Sequence, residues 1–286
     1  MEGDVIMDAI KVKNLTKSYS GFKLNNVSFT LPSGCIMGLV GENGAGKSTT
    51  IKLILDMIKK DSGEVEIFGQ NTLGNMKAVK EDIGVVLDDV GIPDLLKAGE
   101  VGKIMKYSFK NWSDSDYAEN LKRLSIPANK PFKEFSRGMK MKLGIAIALS
   151  HNAKLLILDE ATSGLDPVVR DDVLNIFNEF TRDENHSILI SSHIVSDLEK
   201  LCDYIAFLHK GKLMLFEEKD ALISEYGVIH CPENRLSELE PGAVIHKSVS
   251  PYGAEAIVKR GNIPSDLEIS PVSIEDLFVQ MAKEEA

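Results

Sequence analysis

Nothing in this chain constrains its fold more tightly than nine residues, Gly41-Glu42-Asn43-Gly44-Ala45-Gly46-Lys47-Ser48-Thr49, which fit the pattern G-x-x-x-x-G-K-[ST]. The spacing has a chemical reason. Its glycines let the backbone curl until successive N–H groups face the β- and γ-phosphates of a nucleotide. A helix starting there aims its positive end at the same anions. Lys47 then neutralises phosphate charge, and the Ser48 hydroxyl offers an oxygen to Mg²⁺. Average residue frequencies give such a match roughly a one per cent chance of arising at random in a chain of this length. The flanks agree with the motif: Ile36 to Val40 reads as a strand, and a helix is expected from Ser48 to about Ile58. The segment predicts a nucleoside triphosphate site.

Strand-like and helix-like segments alternate through about residue 215, the pattern of an α/β fold. Val27 to Leu31, Gly63 to Phe68 and Ile83 to Leu87 read as further strands. From roughly Ile92 to Ser150 the character is helical: Ser113 with Asp116 resembles a capping box, and Tyr117, Leu121 and Leu124 share one face. Leu155 to Leu158 and Ser187 to Ile190 restore the strand pattern. Asp166 followed by Pro167 starts a helix whose apolar stripe is Val169, Val173, Ile176 and Phe180, and Val195, Leu198 and Leu201 mark another. A helical block is thus inserted between two halves of an α/β core. After about Ser224 prolines crowd in and strand signals weaken, which predicts a small α+β appendage closing with a helix from Ser273 to about Lys283.

Leu155-Leu156-Ile157-Leu158-Asp159-Glu160 is an apolar strand ending in two carboxylates. Beside a phosphate loop, Asp159 would hold Mg²⁺ and Glu160 would orient or deprotonate the attacking water. Some twenty positions earlier stands Phe135-Ser136-Arg137-Gly138-Met139. Taken with the loop and the acidic pair, this segment resembles the signature of the ABC ATPase family, roughly Leu-Ser-Gly-Gly-Gln. Ser136 and Gly138 match, whereas Arg137 and Met139 depart from the pattern; a Ser-Arg-Gly-Met version resembles that of bacterial exporter ATPases.

The resemblance covers about residues 9 to 220 and carries specific expectations. It implies a P-loop NTPase fold, with a RecA-like core, a β subdomain and the inserted helical subdomain. Ser136 and Gly138 would bind the γ-phosphate of ATP held by a facing protomer. Ser163-Gly164-Leu165-Asp166 would cross the dimer interface, though Asp166 is equally a helix cap. His193 would contact the γ-phosphate and Glu160. Tyr19 would stack on adenine, or else be an ordinary edge-strand tyrosine. Asp88 aligns where the family usually has glutamine; it would be a Mg²⁺ ligand, or Asp88 and Asp89 would form a solvated turn. The domains expected are a cassette over 8–222, with the helical subdomain at about 90–152, and an accessory domain over 225–286.

Composition bounds the partners. The net charge of −10 argues against a nucleic-acid surface, which needs clustered Lys and Arg. No apolar run approaches the ~20 residues of a membrane span. The acidic start lacks the basic flank of a signal peptide, and three scattered cysteines suit a reducing compartment. The expectation is a cytoplasmic motor with ATP and Mg²⁺ as cofactors, peripheral on the inner face of the cell membrane through a separate transmembrane permease. It would act as a homodimer or heterodimer of ATPase subunits. Rival readings are a non-transport ABC ATPase of translation or DNA repair, a non-hydrolysing binder, and an importer ATPase.

Overall fold

The computed structural model describes residues 7–250 and 253–284. It divides into two compact units, the first ending at Leu213 and the second beginning at Met214.

The first unit runs β1 (Asp8–Tyr19), β2 (Phe22–Pro32), β3 (Ile36–Val40), α1 (Lys47–Ile54), β4 (Ser62–Ile67), β5 (Gln70–Asn71), α2 (Met76–Val79) and β6 (Ile83–Val86). It continues with α3 (Ala98–Ser108), α4 (Asp114–Arg123), α5 (Arg137–Ala148), β7 (Leu155–Asp159), α6 (Pro167–Phe180), β8 (Ser187–Ser192), α7 (Val195–Leu201) and β9 (Tyr204–His209). The division between the units falls inside β10 (Lys212–Glu218). One sheet has the order β2-β1-β4-β5 and is antiparallel. The other has the order β10-β9-β3-β8-β7-β6, and its members from β9 to β6 pair in parallel. Every residue of β3, β7 and β8 is buried. That explains their unbroken apolar runs, since a parallel strand is covered on both faces.

Helices α3, α4 and α5 fill the stretch between β6 and β7. Ser113 caps α4 by accepting the Asp116 N–H at 3.1 Å, and Tyr117, Leu121 and Leu124 are all buried. Asp166 caps α6, accepting from Val169 N, with proline in the first turn. Its stripe is shifted from the expected one: Val173, Leu174, Ile176 and Phe177 are buried, while Val169 and Phe180 are half-buried. Helix α1 also differs, ending at Ile54 rather than near Ile58. Asp56 takes a left-handed φ of 52°, its N–H bonds the Leu53 carbonyl, and the Met57 N–H bonds the Lys52 carbonyl. These are the bonds of a Schellman stop with aspartate in the usual place of glycine.

The second unit holds α8 (Lys219–Glu225), β11 (Tyr226–Cys231), α9 (Glu233–Leu236), β12 (Val244–Ser250), β13 (Gly253–Lys259), β14 (Ile269–Ser270) and α10 (Ile274–Glu284). Its antiparallel sheet has the order β12-β13-β11-β14. Ile229, Cys231, Leu236, Ala254, Ala256 and Val258 form one of its core clusters. Cys35, Cys202 and Cys231 form no disulfide. Burial pushes the ionisation of Cys231 up, away from the thiolate that reactivity requires. No helix among the described residues is long and apolar enough to cross a membrane.

Candidate nucleotide site

The parallel strands converge on one cleft because their carboxyl ends lie side by side. The glycine loop follows β3, Asp88 follows β6, Asp159 ends β7 and His193 follows β8. The loop folds as its sequence demands. Gly44 and Gly46 have φ of 86° and 111°, a region open to glycine at little cost. At Gly41 a β-carbon would lie 2.6 Å from the Leu208 carbonyl oxygen, so that position admits no side chain. Helix α1 has no side-chain cap, which leaves its first N–H groups for an anion. The cleft is lined by Glu42, Asn43, Gly44, Gly46, Ser48 and Thr49 from the loop, with Ala45 buried beneath.

Lys47, only 5% exposed, donates to the carbonyls of Gly41 at 2.6 Å and Glu42 at 3.3 Å. Its Nζ also lies 3.4 Å from Glu160 Oε1. The other oxygen of that carboxylate, Oε2, is 2.6 Å from His193 Nδ1. Glu160 is therefore held from two sides, by the phosphate-loop lysine and by the histidine. Its backbone adopts φ 55°, a left-handed value that a non-glycine residue keeps only under outside constraint. The constraint is Ser191, whose carbonyl and Oγ both accept the Glu160 N–H at 3.1 Å.

Asp159 is buried at 2% exposure. It accepts from Ser191 Oγ at 2.6 Å and from Ser48 Oγ at 3.1 Å. The pairing of β7 with β8 puts Asp159 directly beside Ser191, so one serine orients both carboxylate-bearing residues. Ser48 and Asp159 are two hard oxygen donors, suited to Mg²⁺, an ion that takes one or two carboxylates together with substrate phosphates and waters. Among the described residues no cluster of three or more His, Cys, Asp or Glu side chains forms a self-sufficient metal cage.

Other expected residues fall differently. Asp88 lines the cleft, but its Oδ1 accepts from Arg137 Nη2 at 2.6 Å. Ser136 caps α5 through Met139 N–H; neither it nor Gly138 is among the residues lining this chain's own cleft, whereas Arg137 between them is. Tyr19 is 47% exposed at the end of β1, with Lys17 Nζ 5.5 Å from its ring centroid. Its cross-strand partner Phe22 lines the cleft. Phe22, Ser191 and Arg137 are the site residues that sequence reasoning missed. The two aromatics flanking Ser20-Gly21, a turn dipeptide, were the signal available for Phe22.

A glycine loop between a parallel strand and a helix, facing a strand-terminal Asp-Glu pair, defines a P-loop nucleoside triphosphatase. Comparison with known proteins narrows that class. The ABC transporter family model matches residues 24–163. The bacitracin transport ATP-binding protein BcrA of Bacillus licheniformis is 39% identical over 210 residues, 72% of this chain and 68% of that protein. The lantibiotic transport ATP-binding protein SrtF of Streptococcus pyogenes is 37% identical over 214 residues, 74% of this chain and 91% of its own length. A solved ATP-binding subunit of an ABC transporter superposes with a TM-score of 0.68 at 27% identity, covering 75% of this chain and 91% of that one. The chain belongs to the ABC transporter ATP-binding proteins and is an ATPase.

Proposed function

We propose that this chain is the motor subunit of a bacterial exporter, binding MgATP in the cleft and driving a separate transmembrane permease. The observation that carries the reading is Glu160, fixed 3.4 Å from Lys47 and 2.6 Å from His193 beside the Ser48–Asp159 pair. Lys47 exchanges its contacts with loop carbonyls for phosphate oxygens. Glu160 orients the attacking water and accepts its proton, while His193 holds that carboxylate in place. Ser48 and Asp159 would hold Mg²⁺, which when bound offsets phosphate charge. Asp88 is left out of that pair, because Arg137 already engages its carboxylate.

The functional cassette is residues 8–222, with the helical subdomain at about 90–152, and residues 225–286 are an accessory domain. A second ATP-binding subunit, identical or related, supplies Ser136 and Gly138 to the nucleotide. The Ser136-Arg137-Gly138-Met139 signature and the names of the relatives support export of a peptide antibiotic or lipid-like cargo. A groove lined by Val85, Val90, Ile92, Met105 and Phe109 suits an apolar helix of the permease. That contact would hold the protein on the inner face of the cell membrane. The test is affinity purification of the tagged chain from detergent-solubilised membranes. The expected result is a stoichiometric polytopic membrane protein; recovery with ribosomes or DNA instead would overturn the transport assignment.

A further inference from the structure

Two charged residues far apart in the sequence, Asp88 and Arg137, meet in the nucleotide cleft. By the resemblance to the family pattern, Asp88 aligns with a glutamine and Arg137 with a glycine of the signature. They are 49 residues apart in sequence, yet Arg137 Nη2 donates to Asp88 Oδ1 at 2.6 Å. Both side chains line the same cleft as Lys47, Ser48, Glu160 and His193. The stem of Arg137 is directed from a second side. It lies over Gly164, where a β-carbon would come within 3.2 Å of Arg137 Cδ. The guanidinium is thus positioned by a carboxylate at one end and a bare backbone along its stem.

This pair does little for the stability of the fold. Its side chains are 58% and 56% exposed, and ion pairs so open to water contribute little. Its consequence lies in the charge of the cleft. A neutral glutamine would present the nucleotide with an amide, whereas aspartate presents a full negative charge. The cleft already holds Glu42 and Glu160 on its lining, with Asp159 bonded to Ser48. A polyphosphate entering such a site is repelled by a carboxylate that no cation answers, and its several charges add up where a single exposed ion pair contributes little. Lys47 is engaged with loop carbonyls and Glu160, so the cation that answers Asp88 is Arg137.

We propose that Arg137 is a positioning residue for nucleotide binding: it holds and neutralises the Asp88 carboxylate, so that a cleft with an acid in place of the usual amide still accepts an anionic nucleotide. The inference rests on the nucleotide reading of the cleft. The two departures are then a matched pair, the second cancelling the charge introduced by the first.

The experiment titrates MgATP and MgADP into the full chain by calorimetry, with Arg137→Gln, Arg137→Lys and the double variant Asp88→Asn/Arg137→Gln. Arg137→Gln is expected to raise the Kd for ATP about fivefold to tenfold, the size of one charge interaction in a partly screened site. The rise should be smaller for ADP, and it should shrink as salt is added. Arg137→Lys should keep most of the affinity. In the double variant, removing the carboxylate should bring ATP binding back to within about twofold of wild type. That rescue is the readout a merely structural role would not give. A double variant as weak as Arg137→Gln overturns the proposal, as does an Arg137→Gln variant with unchanged ATP affinity. Tighter ATP binding by Arg137→Gln overturns it too, because Arg137 would then be withholding Asp88 from the metal. Lys47→Ala separates the two claims: if it retains ATP affinity, the nucleotide reading itself fails, and if it alone loses affinity, only the role of Arg137 does.

Discussion

At the scale of single residues, the cleft is a set of side chains whose usual partners are one another. His193 touches Glu160 and none of the loop atoms that Lys47 holds. Replacing it with alanine should slow ATP turnover strongly while leaving nucleotide affinity nearly intact. A variant that loses ADP binding as severely as activity would make His193 structural. Phe22 presents a ring to the cleft where Tyr19 was expected to. Phe22→Ala should raise the KM for ATP by roughly tenfold, since stacking a base on an aromatic ring is worth about 1–3 kcal/mol; an unchanged KM would assign the stacking to Tyr19. The contrast between these residues explains what the sequence could reveal. Lys47, Ser48, Asp159 and Glu160 belong to short motifs whose spacing is itself the chemistry, so they are visible without a fold. Ser191 and Arg137 matter through what they reach across the chain, Asp159 in one case and Asp88 in the other, and no local pattern announces either contact.

At the scale of elements, caps and burial periodicity were readable, and terminations were not. Ser113 and Asp166 start α4 and α6 with the bonds their side chains advertise. The end of α1 carries no sequence signal because its stop places Asp56, not glycine, in the left-handed position. The packing of α3 on α4 also depends on one small residue. A β-carbon on Gly102 would lie 2.5 Å from Tyr117 Cε1. Tyr117 cannot retreat freely, since its hydroxyl donates to the Ala98 carbonyl at 2.8 Å. Burial pushes the ionisation of that phenol up, which keeps it a donor across the physiological range. Gly102→Ala should therefore destabilise the protein by about 1–3 kcal/mol, the usual cost of overpacking. Scanning calorimetry should show this as a loss of roughly 2–10 °C in Tm. A Tm equal to wild type would mean that the tyrosine ring shifts at no cost.

At the scale of the whole molecule, every residue placed in the cleft precedes Leu213, in the first of the two compact units. A chain truncated after Glu225 should accordingly bind ATP with near-native affinity while dimerisation, or stimulation by the permease, weakens. Loss of ATP binding by a truncated chain that keeps its circular dichroism would place part of the site in the second unit. The sequence indicated that second unit through its prolines and weak strand signals. Its order β12-β13-β11-β14 was not legible, because strand order is set by pairing between distant segments, whereas periodicity reports only each strand's own faces. As proposed, Glu160 activates water in a site that grips ATP independently of it, and two such sites close on each other. The most direct measurement is turnover of the Glu160→Gln variant, followed by size-exclusion chromatography with MgATP. Retained ATP binding, nearly abolished hydrolysis and a stable ATP-bound dimer are expected. Undiminished hydrolysis by this variant would contradict a water-activating Glu160.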